Sequence, residues 1–250
     1  MSGKVENLPR QADPNIDEVL EAFLNGQRTR LAARTVSDYR AVVQLLQRYL
    51  NGYAYQGLSK AEARLFDRYF NAEGKEHREF CQLFGPEKLL ENLEGFLGDF
   101  VIRKVMAGEN LKRASGTVTK KLSKWLAEKG YVSEEDGLEG ASRGAVAARE
   151  LVEAERAARL LHEAADRLGI VTLGLADEDY EDFDHFTIAR VEPGRLWLDV
   201  WEEEKPRPRG PFPVPKAATR LLRKGWAVSC SLARVRGIWH IVEVANVYPM

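Results

Sequence analysis

The sequence predicts an α+β protein built from two regions of different character. From Asn15 to Ser133, apolar residues recur at helical spacing. From 140 to 168, an alanine-rich stretch continues the helical period. Beyond 170, short runs rich in β-branched and aromatic residues alternate with turn signals. The expected division is a helical bundle over 1–138, a connecting helix over 139–169 and a small antiparallel β-domain over 170–250. The β-domain is expected to be an SH3-like barrel or a bent sheet.

Asn15 can cap a helix carrying Ile16, Val19, Leu20 and Phe23 on one face. Thr35 or Ser37 can start the next, with Tyr39, Val42, Val43, Leu46 and Leu50, and Asn51-Gly52 reads as its stop. Ser59 followed by Glu62 is a capping box before Ala63, Leu65, Phe66 and Tyr69. Residues 73–84 read as a charged connection. Gly85-Pro86 then opens a helix through Leu89, Leu93, Phe96, Phe100 and Val105, with Gly108 at its end. After a basic turn, Ser115 or Thr117 caps a helix carrying Val118, Leu122, Trp125 and Leu126, closed by Lys129-Gly130.

Ala147, Leu151, Ala154, Ala158, Leu161, Ala165 and Leu168 repeat at spacings of 4, 3, 4, 3, 4 and 3, a heptad register. That face either packs on its own domain or forms a homodimer seam. Gly169 ends the helix. In the last region, Phe186–Val191 and Arg195–Trp201 form a hairpin across Glu192-Pro193-Gly194, and Trp226–Val235 and Ile238–Val247 form another across Arg236-Gly237. Between them lie the proline-rich Lys205–Pro215 and a short helix at 216–224. The order is β-β-β-α-β-β, with the proline-rich third element either a strand or a connection.

Charge locates the functional expectation. The chain carries 37 Lys+Arg against 38 Asp+Glu, so no global field draws it to nucleic acid. Between Arg103 and Lys129, however, there are eight Lys/Arg and two acids. Lys112, Arg113, Lys120, Lys121 and Lys124 fall there, where a helix and its N-terminal amides could meet duplex phosphates. After Glu204, nine Lys/Arg face one acid. Trp197, Asp199 and Trp201 alternate with Leu196, Leu198 and Val200, which puts one set in the core and leaves the other to stack bases or grip a peptide.

Other chemistries find little support. Asp177–Asp184 holds six acids in eight residues without the glycine or spacing of a calcium loop, and reads as a solvated acidic loop. His77, His162, His185 and His240 are scattered, with no Cys at zinc spacing, so no metal or other cofactor is expected. No phosphate loop, dinucleotide fingerprint or nucleophile elbow occurs. Cys81 and Cys230 read as free thiols in a reducing cytoplasm. The N-terminus lacks the apolar core of a signal peptide, and no apolar run approaches the roughly 20 residues of a membrane span.

The segments Arg34–Asn51, Glu91–Val105 and Ser115–Ser133 together resemble the SAM-like core-binding domain of tyrosine recombinases, the phage integrase family. The likeness lies in Thr35-x-x-x-Tyr39-Arg40, a helix ending in a basic segment, and the closing Trp125-Leu126-x-Glu128-Lys129-Gly130. It covers under half the chain. It implies that Thr35, Tyr39 and Arg40 begin a helix near duplex DNA, and that Lys112, Arg113, Ser115, Thr117, Lys120, Lys121 and Lys124 approach phosphates or the major groove. The sequence departs from the family in an insertion-like stretch at Gly57–Glu87 and in lacking a catalytic domain. His162 and His240 open no His-x-x-Arg box, and Tyr248 has no activating cations in sequence reach. The expectation is a non-enzymatic binder of double-stranded DNA. The alternative is a protein–protein adaptor dimerising through the 140–168 helix.

Overall fold

The computed structural model describes residues 11–103, 108–170, 174–202 and 204–249. The chain is α+β, with helices first and a five-stranded antiparallel sheet last. It divides into two units. One takes in the described residues up to Phe100 together with Ala114–Ala145. The other takes in Val101–Arg113 and everything from Val146 onward.

In the first unit, Asn15 caps α1 (Ile16–Arg28). Its side chain accepts from the Glu18 amide at 3.1 Å, and the Glu18 carboxylate accepts from the Asn15 amide at 3.0 Å. Helix α2 (Ala33–Tyr53) starts two residues before Thr35 and runs through Asn51-Gly52. Asn51 does not stop it because its side chain is engaged elsewhere, accepting from the Cys81 amide at 2.9 Å. The Ser59–Glu62 box opens α3 (Lys60–Phe70) as expected. The connection expected at 73–84 contains a buried helical turn, α4 (Phe80–Leu83).

The single helix expected from Pro86 to Val105 is instead broken. It becomes α5 (Glu87–Glu91), α6 (Leu93–Gly95), a π-turn at Phe96–Phe100 and α7 (Val101–Arg103), while Val105 lies outside the described residues. The break coincides with a long-range contact. The Tyr49 hydroxyl occupies the space a side chain at Gly95 would need, and the ladder widens into a π-turn beside it.

Helix α8 (Glu109–Glu128) begins where a turn was expected, and the Gly108 carbonyl accepts its first amides, from Leu111 and Lys112. Gly130, at φ +73°, ends α8, with the Tyr131 amide bonded to the Leu126 carbonyl at 2.9 Å. Ser133 caps α9 (Glu134–Leu168) through the Asp136 amide. Helix α9 passes through 138/139 without a break and ends at Leu168, with Gly169 at φ +56° as its stop. One continuous helix contributes its first twelve residues to the first unit and the rest to the second.

The second unit is a coiled sheet. Its strands are β1 (Tyr180–Glu192), β2 (Arg195–Glu202), β3 (Lys205–Pro213), β4 (Ala227–Val235) and β5 (Ile238–Tyr248), with α10 (Lys216–Thr219) between β3 and β4. The order is β3-β2-β1-β4-β5, antiparallel throughout. Both expected hairpins form. Arg236 and Gly237 have φ +52° and +79°, the geometry of a two-residue turn matched to strand twist.

Strand β4 returns beside β1 after the β1-β2-β3 meander, which is a Greek key. With β5 added outside β4, the outer strands β3 and β5 come to face each other. Arg209 of β3 stacks on Trp239 of β5 at 4.4 Å, above a cleft of about 400 Å³ lined by Gly194, Pro211, Pro213 and Ile238. The sheet is thus strongly bent, one of the two forms expected for this region, and its strand order is that of a partly open Greek-key barrel.

Leu196, Leu198 and Val200 point into the barrel core with Phe186, Ile188, Phe212, Val228 and Leu232. Ala154, Ala157, Ala158, Leu161 and Ala165 of α9 complete that core. The heptad face from Ala154 to Ala165 is thus occupied by the chain's own sheet, while Leu168 is exposed. Cys81 and Cys230 are free and buried, and burial pushes both thiols well above their ordinary pKa.

Candidate nucleic-acid interface

Helix α8 has three rows, and each follows from residue size and polarity. Ser115, Gly116, Thr119 and Ser123 form a row of small residues turned inward. In the first unit this row meets Gly137, Gly140 and Gly144 of α9. A Cβ at Gly140 would sit 2.6 Å from the Ser123 hydroxyl, and one at Gly137 2.5 Å from Ala127 Cβ. Only small residues on both helices allow this approach. The Ser123 hydroxyl, deprived of water, donates to the Thr119 carbonyl at 2.9 Å. A second row, Val118, Leu122 and Leu126, is buried in the apolar core.

The third row faces outward. Thr117, Lys121, Lys124 and Glu128 are exposed at spacings of 4, 3 and 4, with Lys120 half-buried at the row's edge. Among the described residues, none of the three lysines is paired with a carboxylate. Lys120 and Lys124 are one turn apart, and Lys121 and Lys124 three residues apart, so they repel one another by a few tenths of a kcal/mol per pair, about 0.2–0.5. The cluster lies in the C-terminal half of α8, where positive charge suits the helix dipole. The expected helix N-terminal amides are absent from it, because α8 starts at Glu109.

Two expected contact residues are elsewhere. Lys112 is 4% exposed and its ammonium is bonded to Glu155 of α9 within the second unit. Ser115 is 0% exposed. Neither can reach a phosphate, and Ser115 and Thr117 cap nothing, since both lie inside α8. Arg113 is exposed but belongs with Lys112 to the segment of α8 that joins the second unit. Glu109, close by, is held below the usual carboxylate range, first by hydrogen bonds from Arg156, then by the charges of Arg159 and Arg113.

Arg40 is exposed on α2. Its neighbour Tyr39 stacks on Phe23 at 6.0 Å, and Phe23 meets Trp125 edge-on at 5.5 Å. This aromatic chain ties the turn bearing Arg40 to the turn bearing Lys124. Elsewhere in the first unit a cleft of about 570 Å³ gathers Glu87, Glu91, Glu94, Asp136 and Glu139 around Arg143. Phosphate would be repelled there.

Two acids of the acidic run, Asp179 and Glu181, pair with cations of the C-terminal region. Residues 177–184 are not a loop. They form a short 3₁₀ turn and the start of β1. Asp179 pairs with Arg234 at 2.5 Å, and Arg209 bridges Glu181 and Glu202 at 2.6 Å each. Arg223 lies 2.7 Å from Glu153. Spacing alone could not reveal these pairs, which join residues far apart in the chain. Among the described residues, no group of His, Cys, Asp and Glu could hold a metal ion, and no helix is long and apolar enough to cross a membrane. Comparison with protein-family models, with curated proteins and with solved structures finds no match.

Proposed function

We propose that this protein binds duplex DNA without acting on it, through phosphate contacts from the exposed row of α8. The observation that carries this reading is the cluster of Lys120, Lys121 and Lys124, which have no carboxylate partner among the described residues. By contrast, Lys112, Arg209, Arg223 and Arg234 are each paired with a carboxylate. Phosphates would relieve the repulsion among the lysines and release condensed counterions. Thr117 can add a hydroxyl contact, and Arg40 a second cation from α2. The resemblance to the recombinase core-binding module supports the same row.

The adaptor alternative has less support, because the heptad face from Ala154 to Ala165 lies in the barrel core. Placement in a reducing cytoplasm belongs to the same proposal and is supported by the two free thiols. Fluorescence anisotropy of a labelled random duplex across a salt series tests the reading. Log K should fall against log salt with a slope of about −0.9 per phosphate contact. Absent binding at low salt would overturn it.

A further inference from the structure

The barrel carries four of the chain's five tryptophans, and three are already covered by arginine. Arg190 lies over Trp197 at 4.1 Å, Arg223 over Trp226 at 5.0 Å, and Arg209 and Arg234 over Trp239 at 4.4 and 5.8 Å. The fourth, Trp201, is 72% exposed, and among the described residues no cation stacks on it. It sits at the end of β2 opposite Pro206, on the barrel's outer side.

A carboxylate shares the outward face of β2 with Trp201. Asp199, two residues earlier on the same outward face, has a carboxylate with no side-chain hydrogen bond or ion pair among the described residues. Glu204 is exposed in the β2–β3 turn. Arg209 bridges Glu181 and Glu202, which ties the start of β1 to this hairpin, while Asp184, opposite the core residue Cys230, lies on the other face of the sheet from Trp201. Lys205 and Arg207 of β3 are the opposing cations at this edge, and Arg207 already acts on Glu202.

We propose that Trp201 and Asp199 form a docking point for an arginine- or lysine-bearing peptide segment of a partner protein. An indole face attracts a cation through its quadrupole, and the adjacent carboxylate supplies a charge-assisted hydrogen bond to the same group. The arrangement repeats in trans what the barrel does in cis with its other three tryptophans. An oligonucleotide is the poorer occupant, since its phosphates would meet Asp199 and Glu204. This surface is independent of the α8 row.

The test is anisotropy of a fluorescein-labelled peptide of alternating arginine and glycine, with an alternating glutamate–glycine peptide and a labelled oligothymidylate as controls. The expected result is arginine-peptide binding that weakens about tenfold in Trp201→Ala, is largely restored in Trp201→Phe, and weakens in Asp199→Asn. Trp201 is exposed, so the thermal midpoint of Trp201→Ala should match the parent and exclude unfolding. Equal affinity in parent and Trp201→Ala would overturn the proposal. So would no peptide binding at millimolar concentration, or loss in Trp201→Ala of oligothymidylate binding alone.

Discussion

A Cβ at Gly144 would lie 2.5 Å from the backbone nitrogen of Lys120 and 2.8 Å from the carbonyl oxygen of Gly116. Both obstacles are main chain, so neither can swing aside. Gly144→Ala should push α8 from α9 and cost about 2–3 kcal/mol of unfolding free energy by urea titration. Gly26 is the control. It is helical, with nothing within 4 Å of its would-be Cβ, so Gly26→Ala should be neutral or stabilise by up to about 1 kcal/mol.

Where a signal is local, the sequence carries it. The Asn15 and Ser59 caps, the Gly130 stop and the Arg236-Gly237 turn each depend on residues within a few positions, and each forms as read. So does the Leu196, Leu198, Val200 alternation. The misreadings are all long-range. Ser115 looks like a cap until Gly137, Gly140 and Gly144 supply a helix narrow enough to bury it. Lys112 looks like a phosphate contact until Glu155, 43 residues away, takes its ammonium. The helix beyond Pro86 looks continuous until Tyr49 reaches Gly95.

Arg209 closes one end of the barrel through Glu181, Glu202 and Trp239. Arg209→Ala should destabilise the protein by about 2 kcal/mol, since hydrogen bonds to charged groups are lost and Trp239 is uncovered on one side. The pair also sets a pH dependence. The hydrogen bond from Arg209, with the charges of Arg209 and Arg207, holds the Glu202 carboxyl below its ordinary value. Its stabilisation is therefore fully present above the unfolded glutamate pKa of about 4.3 and is lost as pH falls through the lowered folded value. A carbon-13 NMR titration of the carboxyl should show the low midpoint, and Arg209→Ala should return it to the ordinary range.

Leu161 lies in the barrel core, on the heptad face of α9. Leu161→Ala should cost about 2–4 kcal/mol and leave the molar mass in solution unchanged. Multi-angle light scattering separates this from a dimer seam, where the same change would lower the mass.

The most direct test of the α8 proposal is Lys121→Glu with Lys124→Glu, both exposed and unpaired among the described residues, measured by duplex anisotropy across salt. The account predicts strongly weakened binding, a salt slope shallower by about 1.8 for two lost phosphate contacts, and a thermal midpoint close to the parent's. Lys112→Met should do the reverse, lowering the midpoint while keeping the affinity. Parental affinity and slope in the double reversal would contradict the account.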